Sequence, residues 1–411
     1  MAASKGDESR FFYGYMIVLV SFTLQVLGWG LFNSFGVFFK PIIAEFAWQR
    51  AVISSAISVS MLVFGIAGIL QGRLSDRFGP RMTMTAGGIL LGAGYFFMSQ
   101  VATVRHLYVF CGLFIGLGIS GTDVVLLSTT ARWFVKKRGM MTGVIKVGTG
   151  VGMLIMPLVI NRLITAYGWR TAFFVLGAMV LFFYVSLSQF LVRDPGKMGL
   201  APDGEEHENP FNQSPPEEGM TLQEAARTVQ FWTICFAFFL VLFCAATILM
   251  HIVTHAIDLG ISPANAAKVL SGVGAASIAG RFVMGSAGDR IGNKSALVIC
   301  FLCLVSSLIW LQLADKLWML FLFAIVYGFA HGGFYALIAP LIADLFGTSS
   351  HGVIFGIVSF ASTIGGALGP VTGGYIFDIT GSYGMVFWIL TTVSIVGLIA
   401  AITLKPITSN V

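Results

Sequence analysis

One arginine, Arg281, stands within an apolar, small-residue run between Ser271 and Gly292. At the centre of a membrane helix an arginine costs about 2.5–3.5 kcal/mol on insertion scales. Arg281 is too far from either end of the run for its side chain to reach water fully. Because a planar guanidinium suits a carboxylate, we predict that Arg281 binds an organic anion on a transport path. The alternative is a structural arginine that forms an ion pair or bonds carbonyl groups inside a bundle.

Two stripes of polar and aromatic residues recur every four positions within apolar runs, which places each stripe on one helix face. In a Phe-rich bundle such faces point to protein or water, because their polar groups would lack partners in lipid. We predict that both stripes line the substrate path, with simple packing as the alternative. His331 is also predicted to bond the carboxylate or to carry a proton. The stripes are Gln25, Trp29 and Asn33, and Tyr327, His331 and Tyr335.

Three further polar residues lie inside apolar runs. Asp123 is the only acid well inside one, and we predict a protonation or gating role for it, with a salt bridge to the basic segment 132–138 as an equal alternative. Lys146 is predicted to be a second cation on the path or to pair with Asp123. Ser362 is predicted to bond the substrate, although hydroxyls also bond carbonyls of their own helix.

The composition is that of a polytopic membrane protein. Of the 411 residues, 57% are hydrophobic and only 10% charged, against about 25% charged in soluble domains. The net charge of +6 therefore concerns orientation in a membrane rather than binding to nucleic acid. The sequence has no nucleotide-binding loop, metal-ligand cluster or nucleophile–base pattern, so no enzyme, cofactor or metal is predicted.

Twelve apolar runs are long enough to cross a bilayer as helices, and an even number places both termini on one side. Of 24 Lys and Arg residues, fifteen lie on that side, seven on the other and two within spans. The positive-inside rule therefore predicts cytoplasmic termini, here in a bacterial inner membrane. His251 and His255, near the outer end of the seventh span, are predicted to be interfacial. The predicted spans are 12–40, 49–73, 81–103, 106–132, 137–165, 169–192, 230–257, 262–288, 293–314, 317–345, 351–379 and 383–404.

A polar, acidic, Pro-containing segment separates six spans from six. The pattern G-x-x-x-D-R-x-G follows the second span and recurs after the eighth at an offset of 213 positions. Two parallel halves imply a pseudo-twofold axis along the membrane normal and a substrate site near the midplane. In the separating segment, Thr221 and Glu224 predict a capping box and a short interfacial helix. The prediction is an all-α fold with an N-terminal six-helix bundle over 1–192, a cytoplasmic linker over 193–229 and a C-terminal six-helix bundle over 230–411.

The repeated pattern resembles the loop between helices two and three of the major facilitator superfamily. Its glycines let two helix ends approach, while its Asp–Arg pair can latch one state of alternating access. The resemblance therefore implies latch roles for Gly72, Asp76, Arg77 and Gly79 in the first half and for Asp289 and Arg290 in the second.

The chain also resembles the monocarboxylate transporters over nearly its whole length. The segment WFVKKRGMMTGVIKVGTGVG, from Trp133 to Gly152, follows their helix-five pattern of aromatic, basic and spaced glycine residues. The GVFFK that ends at Lys40 matches the end of their helix one, and Arg10 replaces the acid of their helix-one motif. The resemblance places Arg281 on the helix-eight arginine that holds the carboxylate in that family.

Two positions depart from this resemblance. Ser277 stands where animal members carry the proton on an aspartate, and Asn33 where they have a lysine linked to proton coupling; both are still predicted to line the substrate site. Proton coupling then falls to Asp123, Lys146 or His331. The related oxalate/formate exchangers add a helix-eleven lysine, whereas the eleventh span here has no basic residue in its interior. One buried cation suits a monoanion better than a dianion.

These observations predict a secondary active transporter that moves small monocarboxylates such as L-lactate or pyruvate together with a proton. Substrate and proton neutralise the moving charge while the two halves rock about the site. The chain is expected to be a monomer in the lipid bilayer. Three alternatives stay open: an exchanger of oxalate/formate type, a multidrug exporter, which a lone arginine disfavours, and a non-transporting nutrient sensor of the same fold.

Overall fold

The computed structural model describes residues 12–134, 137–204, 219–347 and 350–404. Over these ranges the chain is helical, with one isolated β-bridge between Gly219 and Gly347. Arg10, Lys136 and the acidic stretch 205–218, which carried sequence patterns, lie outside the described residues. The long helices are α1 Gly14–Asn33, α2 Arg50–Phe78, α3 Pro80–Met98, α4 Val104–Trp133, α5 Arg138–Tyr167, α6 Trp169–Ser188, α7 Val229–Asp258, α8 Pro263–Ile291, α9 Asn293–Leu313, α10 Leu317–Phe346, α11 His351–Thr380 and α12 Gly384–Thr403.

Eleven of these helices are long and apolar enough to cross a membrane, which confirms an all-α polytopic membrane fold. The remaining long helix of the described part, α3, has 19 residues and carries Arg81 in its first turn. It packs closely on α6, because Gly88 has no side chain: an added Cβ there would stand 2.4 Å from Cβ of Tyr184. Small residues of this kind allow membrane helices to approach each other closely.

The first predicted span, 12–40, is wrong at its C-terminal end. α1 ends at Asn33, and the chain continues as a 3₁₀ turn, Phe35–Phe38, and a short helix, Phe39–Phe46. The apolar run therefore contains a helix, a 3₁₀ turn and the start of a second, short helix. As a result, Lys40 lies beyond the first membrane helix, where its ammonium group reaches the C-terminal end of α7.

α2 and α8 run further than predicted, so the repeated G-x-x-x-D-R-x-G pattern forms their last turns rather than a loop. Each helix stops at a glycine with a left-handed φ, +85° at Gly79 and +86° at Gly292. Side chains other than glycine rarely adopt this conformation. The last glycine of each copy thus ends a helix.

The separating segment contains the predicted capping box. The amide of Glu224 donates to Oγ1 of Thr221 (3.3 Å), and the amide of Thr221 donates to Oε2 of Glu224 (2.8 Å). These bonds start the short helix Leu222–Ala226. The bond from the Thr221 amide also holds the pKa of Glu224 below its ordinary value.

The helix ends define two faces of the molecule. The linker side holds the described linker residues, 189–204 and 219–228, and the far side holds the connections between α1 and α2 and between α7 and α8. The first six helices meet the last six along α2 with α11 and along α5 with α8. Glycines make both contacts close. A Cβ added at Gly274 would lie 2.5 Å from the amide nitrogen of Leu154, and one added at Gly374 would lie 2.8 Å from that of Ala51.

A group of polar residues, the far-side cluster, joins α1–α6 to α7–α12 at the far side. Nη2 of Arg50 forms an ion pair with Oδ2 of Asp258 (2.7 Å), and Lys40 pairs with the same carboxylate. The amide of Arg50 also donates to Asp378 (3.1 Å). Arg50 is only 8% exposed, so these bonds are shielded from water. The far-side cluster comprises Lys40, Arg50, His251, Asp258, Asp378 and Tyr383.

His251 belongs to this cluster and is buried. Nη1 of Arg50 donates to the hydroxyl of Tyr383 (2.7 Å), which lies 3.0 Å from Nδ1 of His251. Nε2 of His251 lies 2.9 Å from the carbonyl oxygen of Pro370, and because a carbonyl only accepts, Nε2 donates and Nδ1 accepts from the tyrosine. His251 is only 1% exposed, so near the outer end of α7 it is packed against protein rather than open to water.

The ion pairs described at the linker side stay within the first six helices and the linker. Arg132 pairs with Asp76 (2.8 Å) and Asp194 (3.4 Å), and Nη1 of Arg193 donates to the carbonyl oxygen of Asp76 (2.5 Å). Among described residues, the ion pairs between α1–α6 and α7–α12 are therefore those of the far side.

Candidate functional site

Arg281 lies within α8 and reaches across to α5. Its Nη1 donates to the main-chain carbonyl oxygen of Lys146, and its Cζ lies 5.7 Å from the ring centroid of Tyr335 in α10. The ion pairs of the described residues do not include Arg281, and its Nε is buried without a hydrogen-bond partner among them. The guanidinium therefore keeps donors for a further acceptor.

The α5 glycines bring the α5 backbone within reach of Arg281. An added Cβ at Gly150 would stand 2.6 Å from Cγ1 of Ile278 and 3.6 Å from Nη1 of Arg281. Larger side chains at this position would separate α5 from α8. The glycine spacing noted in the sequence thus serves the helix crossing on which the arginine lies.

Asp123 is held by three donors from α1 and α5. Its Oδ1 accepts from Nζ of Lys146 (2.5 Å), Nε2 of Gln25 (2.7 Å) and Nε1 of Trp29 (3.2 Å). Oε1 of Gln25 in turn accepts from the hydroxyl of Thr149 (3.1 Å). Of the two salt-bridge partners considered for Asp123, the structure shows Lys146.

The irregular course of α4 positions Asp123. α4 contains a π-helical segment, Tyr108–Ile115, and is interrupted at Ser120 before continuing as Gly121–Trp133. Asp123 lies in the first turn after this interruption, where the helix dipole favours a negative charge. π-helical segments of this kind occur often at functional sites.

α8 and α10 bring His331 against Ser277. The hydroxyl of Ser277 lies 3.2 Å from Nδ1 of His331. Gly332 permits this approach, because an added Cβ there would lie 2.0 Å from the carbonyl oxygen of Ser277. Ser277 therefore contacts a titratable side chain.

The three aromatic residues of the α10 stripe have different environments. The hydroxyl of Tyr327 donates to the carbonyl oxygen of Ala245 (3.3 Å) and its ring is 1% exposed. The ring of Tyr335, by contrast, is 46% exposed and lies 5.1 Å from that of His331. The end of the stripe nearest Arg281 is thus the accessible one.

Two predicted substrate residues make no contact with this group in the structure described. Asn33 is the last residue of α1. Ser362 donates its hydroxyl to the carbonyl oxygen of Val358 in its own helix (2.8 Å). For Ser362 the structure thus shows the intrahelical bond that was the alternative.

The predicted latch residues differ between the two copies. Asp76 bonds to Arg132, while the guanidinium of Arg77 lies 5.2 Å from the ring of Phe78. At the second copy, the bond described is between Nδ2 of Asn293 and Asp344 (2.7 Å). Gly72 lies on the face of α2 toward α4, Gly79 ends α2, and Asp289 and Arg290 are exposed in the last turn of α8.

The site therefore combines two cations, Arg281 and Lys146, with one carboxylate, Asp123. Its formal charge is +1, and the unmatched cation is the arginine. Across the described ranges, no group of three His, Cys, Asp or Glu is arranged to hold a metal ion. Chemically, the arrangement can bind a single negative charge and offers an imidazole nearby.

Sequence reasoning missed the roles of Arg50, Tyr383 and Asp378. Arg50 and Tyr383 are 333 positions apart, so no local pattern connects them. The sequence does show charged residues at several span ends on the far side. This pattern indicates on which face of the membrane they lie, but not which of them pair with each other.

Comparisons with known proteins agree with this fold. Monocarboxylate transporter 13 of Rattus norvegicus is 28% identical over 386 residues, which cover 90% of this chain and 84% of that protein. Oxalate:formate antiporter of Oxalobacter formigenes is 28% identical over 375 residues, which cover 88% of this chain and 84% of that protein.

A solved structure of a bacterial homolog to the human lysosomal transporter Spinster, in an inward-facing and unoccupied conformation, superposes with a TM-score of 0.72. The two sequences are 17% identical, and the matched residues cover 98% of this chain and 95% of the Spinster homolog's chain. The family model of the Major Facilitator Superfamily matches residues 18–280 and 252–410. With this match and a polytopic helical fold, the chain belongs to the Major Facilitator Superfamily of membrane transporters.

Proposed function

We propose that this transporter moves small monocarboxylates of the L-lactate and pyruvate class across the membrane together with a proton. The observation that carries the proposal is Arg281, a membrane-embedded guanidinium that no described carboxylate neutralises. Relatives named as monocarboxylate transporters support this substrate class. A carboxylate bound to the arginine would neutralise the site.

Transport proceeds by rocking two six-helix bundles, 1–192 and 230–411, around a site between them. The far-side cluster closes one face with ion pairs that join α1–α6 to α7–α12, which supports substrate entry from the linker side in this state. The excess of Lys and Arg on that side assigns it, together with both termini, to the cytoplasmic face of a bacterial inner membrane. The transporter acts as a monomer.

His331 is the proton carrier that the geometry favours among the three predicted residues. Asp123 and Lys146 are bound to each other in an ion pair, whereas the hydrogen bond described for His331 is to a neutral hydroxyl, that of Ser277, through Nδ1. A neutral imidazole with this partner can accept a proton when the substrate anion arrives. Anion and proton together then cross as a neutral load, which avoids the cost of moving an uncompensated charge through a low-dielectric region.

Anion exchange of the oxalate/formate type is the second candidate. One observation favours it, the similarity to an oxalate:formate antiporter. The exchanger differs from the symporter in requiring an anion on the opposite side of the membrane and in ignoring a proton gradient.

Substitution of Arg281 tests the role of the guanidinium. Arg281→Ala should reduce uptake of radiolabelled L-lactate into proteoliposomes roughly 10–100-fold, because a hydrogen bond to a charged group contributes about 1.5–3 kcal/mol. Arg281→Lys should restore only part of the uptake, since an ammonium cannot form the two parallel N–H···O bonds that a guanidinium forms with a carboxylate. Arg162→Ala removes an exposed arginine of α5 and should leave uptake unchanged. Wild-type uptake by Arg281→Ala would refute the assignment.

A further inference from the structure

We infer that Asp123 determines how many negative charges the transported anion carries. By pairing with Lys146, its carboxylate keeps the charge of the site at +1, so that monoanions are accepted and dianions are rejected. The inference rests on the proposed function and deepens it, because it assigns the substrate's charge to a residue that does not itself contact the substrate.

The geometry connects both cations to one place. Lys146 donates through Nζ to Asp123 (2.5 Å), while its own main-chain carbonyl accepts from Nη1 of Arg281. The ammonium and the guanidinium thus extend from neighbouring points of the α5–α8 crossing. Without the carboxylate of Asp123, the site would contain two cations within reach of one small anion.

The carboxylate is also fixed in place. Gln25 and Trp29 donate to the same Oδ1 as Lys146, at 2.7 and 3.2 Å. Both donors come from α1, so Asp123 cannot turn away from Lys146 without losing bonds to another helix. The ion pair is therefore a constant feature of the site rather than a chance contact of two long side chains.

The charge balance then selects the substrate. In the anion-binding step, before His331 is protonated, a monoanion brings the site from +1 to zero, whereas a dianion would leave one buried negative charge without a partner, which is costly in a low-dielectric environment. Asp123→Asn keeps the shape of the side chain and an oxygen that accepts from Gln25 and Trp29. It removes the charge that occupies Lys146, and the site becomes +2, which matches a dianion.

The test compares uptake of radiolabelled oxalate and L-lactate by proteoliposomes with wild type, Asp123→Asn and the double variant Asp123→Asn/Lys146→Gln. The ratio of oxalate to lactate uptake should rise at least about tenfold in Asp123→Asn. The double variant returns the site to +1 and should return the ratio to near the wild-type value. An unchanged ratio in Asp123→Asn, or an equal rise in the double variant, would overturn the inference.

Binding provides a second readout that does not depend on transport. The shift in thermal unfolding temperature caused by oxalate should exceed that caused by lactate in Asp123→Asn and fall below it in wild type. If Asp123→Asn does not fold, Lys146→Gln alone tests the same charge balance: its site has a charge of zero and should bind both anions at least about tenfold more weakly than wild type. Equal affinity in that variant would refute the charge count.

Failure of the proposed function has a different signature. If wild type neither binds nor transports L-lactate, and Arg281→Ala changes nothing, the monocarboxylate assignment fails. If wild type transports lactate through Arg281, but the ratio of oxalate to lactate uptake is the same in Asp123→Asn, only the inference about Asp123 fails.

Discussion

Arg281 and Lys146 are both cations within membrane helices, and their partners separate their roles. Lys146 pairs with Asp123, whereas Arg281 bonds only a main-chain carbonyl among the contacts described. Residue types and helical spacing were sufficient to select these residues, together with Gln25 and Trp29, as candidates. Spacing alone did not show which cation would form an ion pair with Asp123.

At the same scale, Ser362 shows where sequence reasoning stops. A hydroxyl in a helix can bond the carbonyl one turn before it, and Ser362 does so with Val358. Sequence cannot distinguish this intrahelical bond from a substrate contact, because both need the same residue type on the same face.

Proton coupling is testable at His331. His331→Gln keeps a side chain able to bond Ser277 but cannot take up a proton in the physiological range. We expect that a proton gradient will no longer drive lactate accumulation, so that the ratio of internal to external lactate falls to about one, while exchange of labelled for unlabelled lactate continues. Tyr375→Phe, which removes the hydroxyl of an exposed tyrosine of α11, serves as the control and should still accumulate lactate. Full gradient-driven accumulation by His331→Gln would move the proton to another residue.

At the scale of elements, apolar runs predicted the positions of the helices well and their ends less well. The first run continues past Asn33 because the 3₁₀ turn Phe35–Phe38 and Phe39, the first residue of the short helix, are also apolar. α2 continues through charged residues to Phe78 and ends only at Gly79, where the left-handed φ stops the helix. Hydropathy records the environment of a segment, whereas backbone geometry decides where a helix stops.

The contact between helix ends at the far side is also an element-scale feature, and Arg50 is its centre. Arg50→Gln removes the ion pair with Asp258 and the charge above Tyr383. We expect the equilibrium to shift about tenfold toward a state open at the far side, since a tenfold change corresponds to about 1.4 kcal/mol.

Spin labels can measure this opening. Placed by Ala44→Cys and Ala264→Cys in a cysteine-free background, at two exposed far-side positions, they should show a longer distance component in Arg50→Gln. Arg170→Gln breaks a far-side pair with Glu45 (2.6 Å) that lies within the first six helices, and it should leave the distance distribution unchanged. An identical distribution in Arg50→Gln and wild type would show that the cluster does not hold the far side closed.

At the scale of the whole molecule, the anion site and the far-side cluster lie at different contacts between α1–α6 and α7–α12: the site at α5 with α8, and the cluster at α2 with α7 and α11. Arg281 bonds α5 from α8, and the same α5–α8 contact continues toward the far side at Gly274. Movement of α5 against α8 would therefore change the position of Arg281, whereas opening of the far side requires the contacts of α2 with α7 and α11 to separate. In the proposed alternating-access cycle, both contacts change together.

Uptake of radiolabelled L-lactate into proteoliposomes, under an inward proton gradient of one pH unit and with no internal substrate, tests proton-coupled monocarboxylate transport most directly. For one proton per lactate, internal lactate should rise to about ten times the external concentration, because one pH unit corresponds to about 1.4 kcal/mol, and a protonophore should abolish the excess. Uptake that ignores the gradient and requires an anion inside the vesicles would contradict symport and identify the chain as an exchanger.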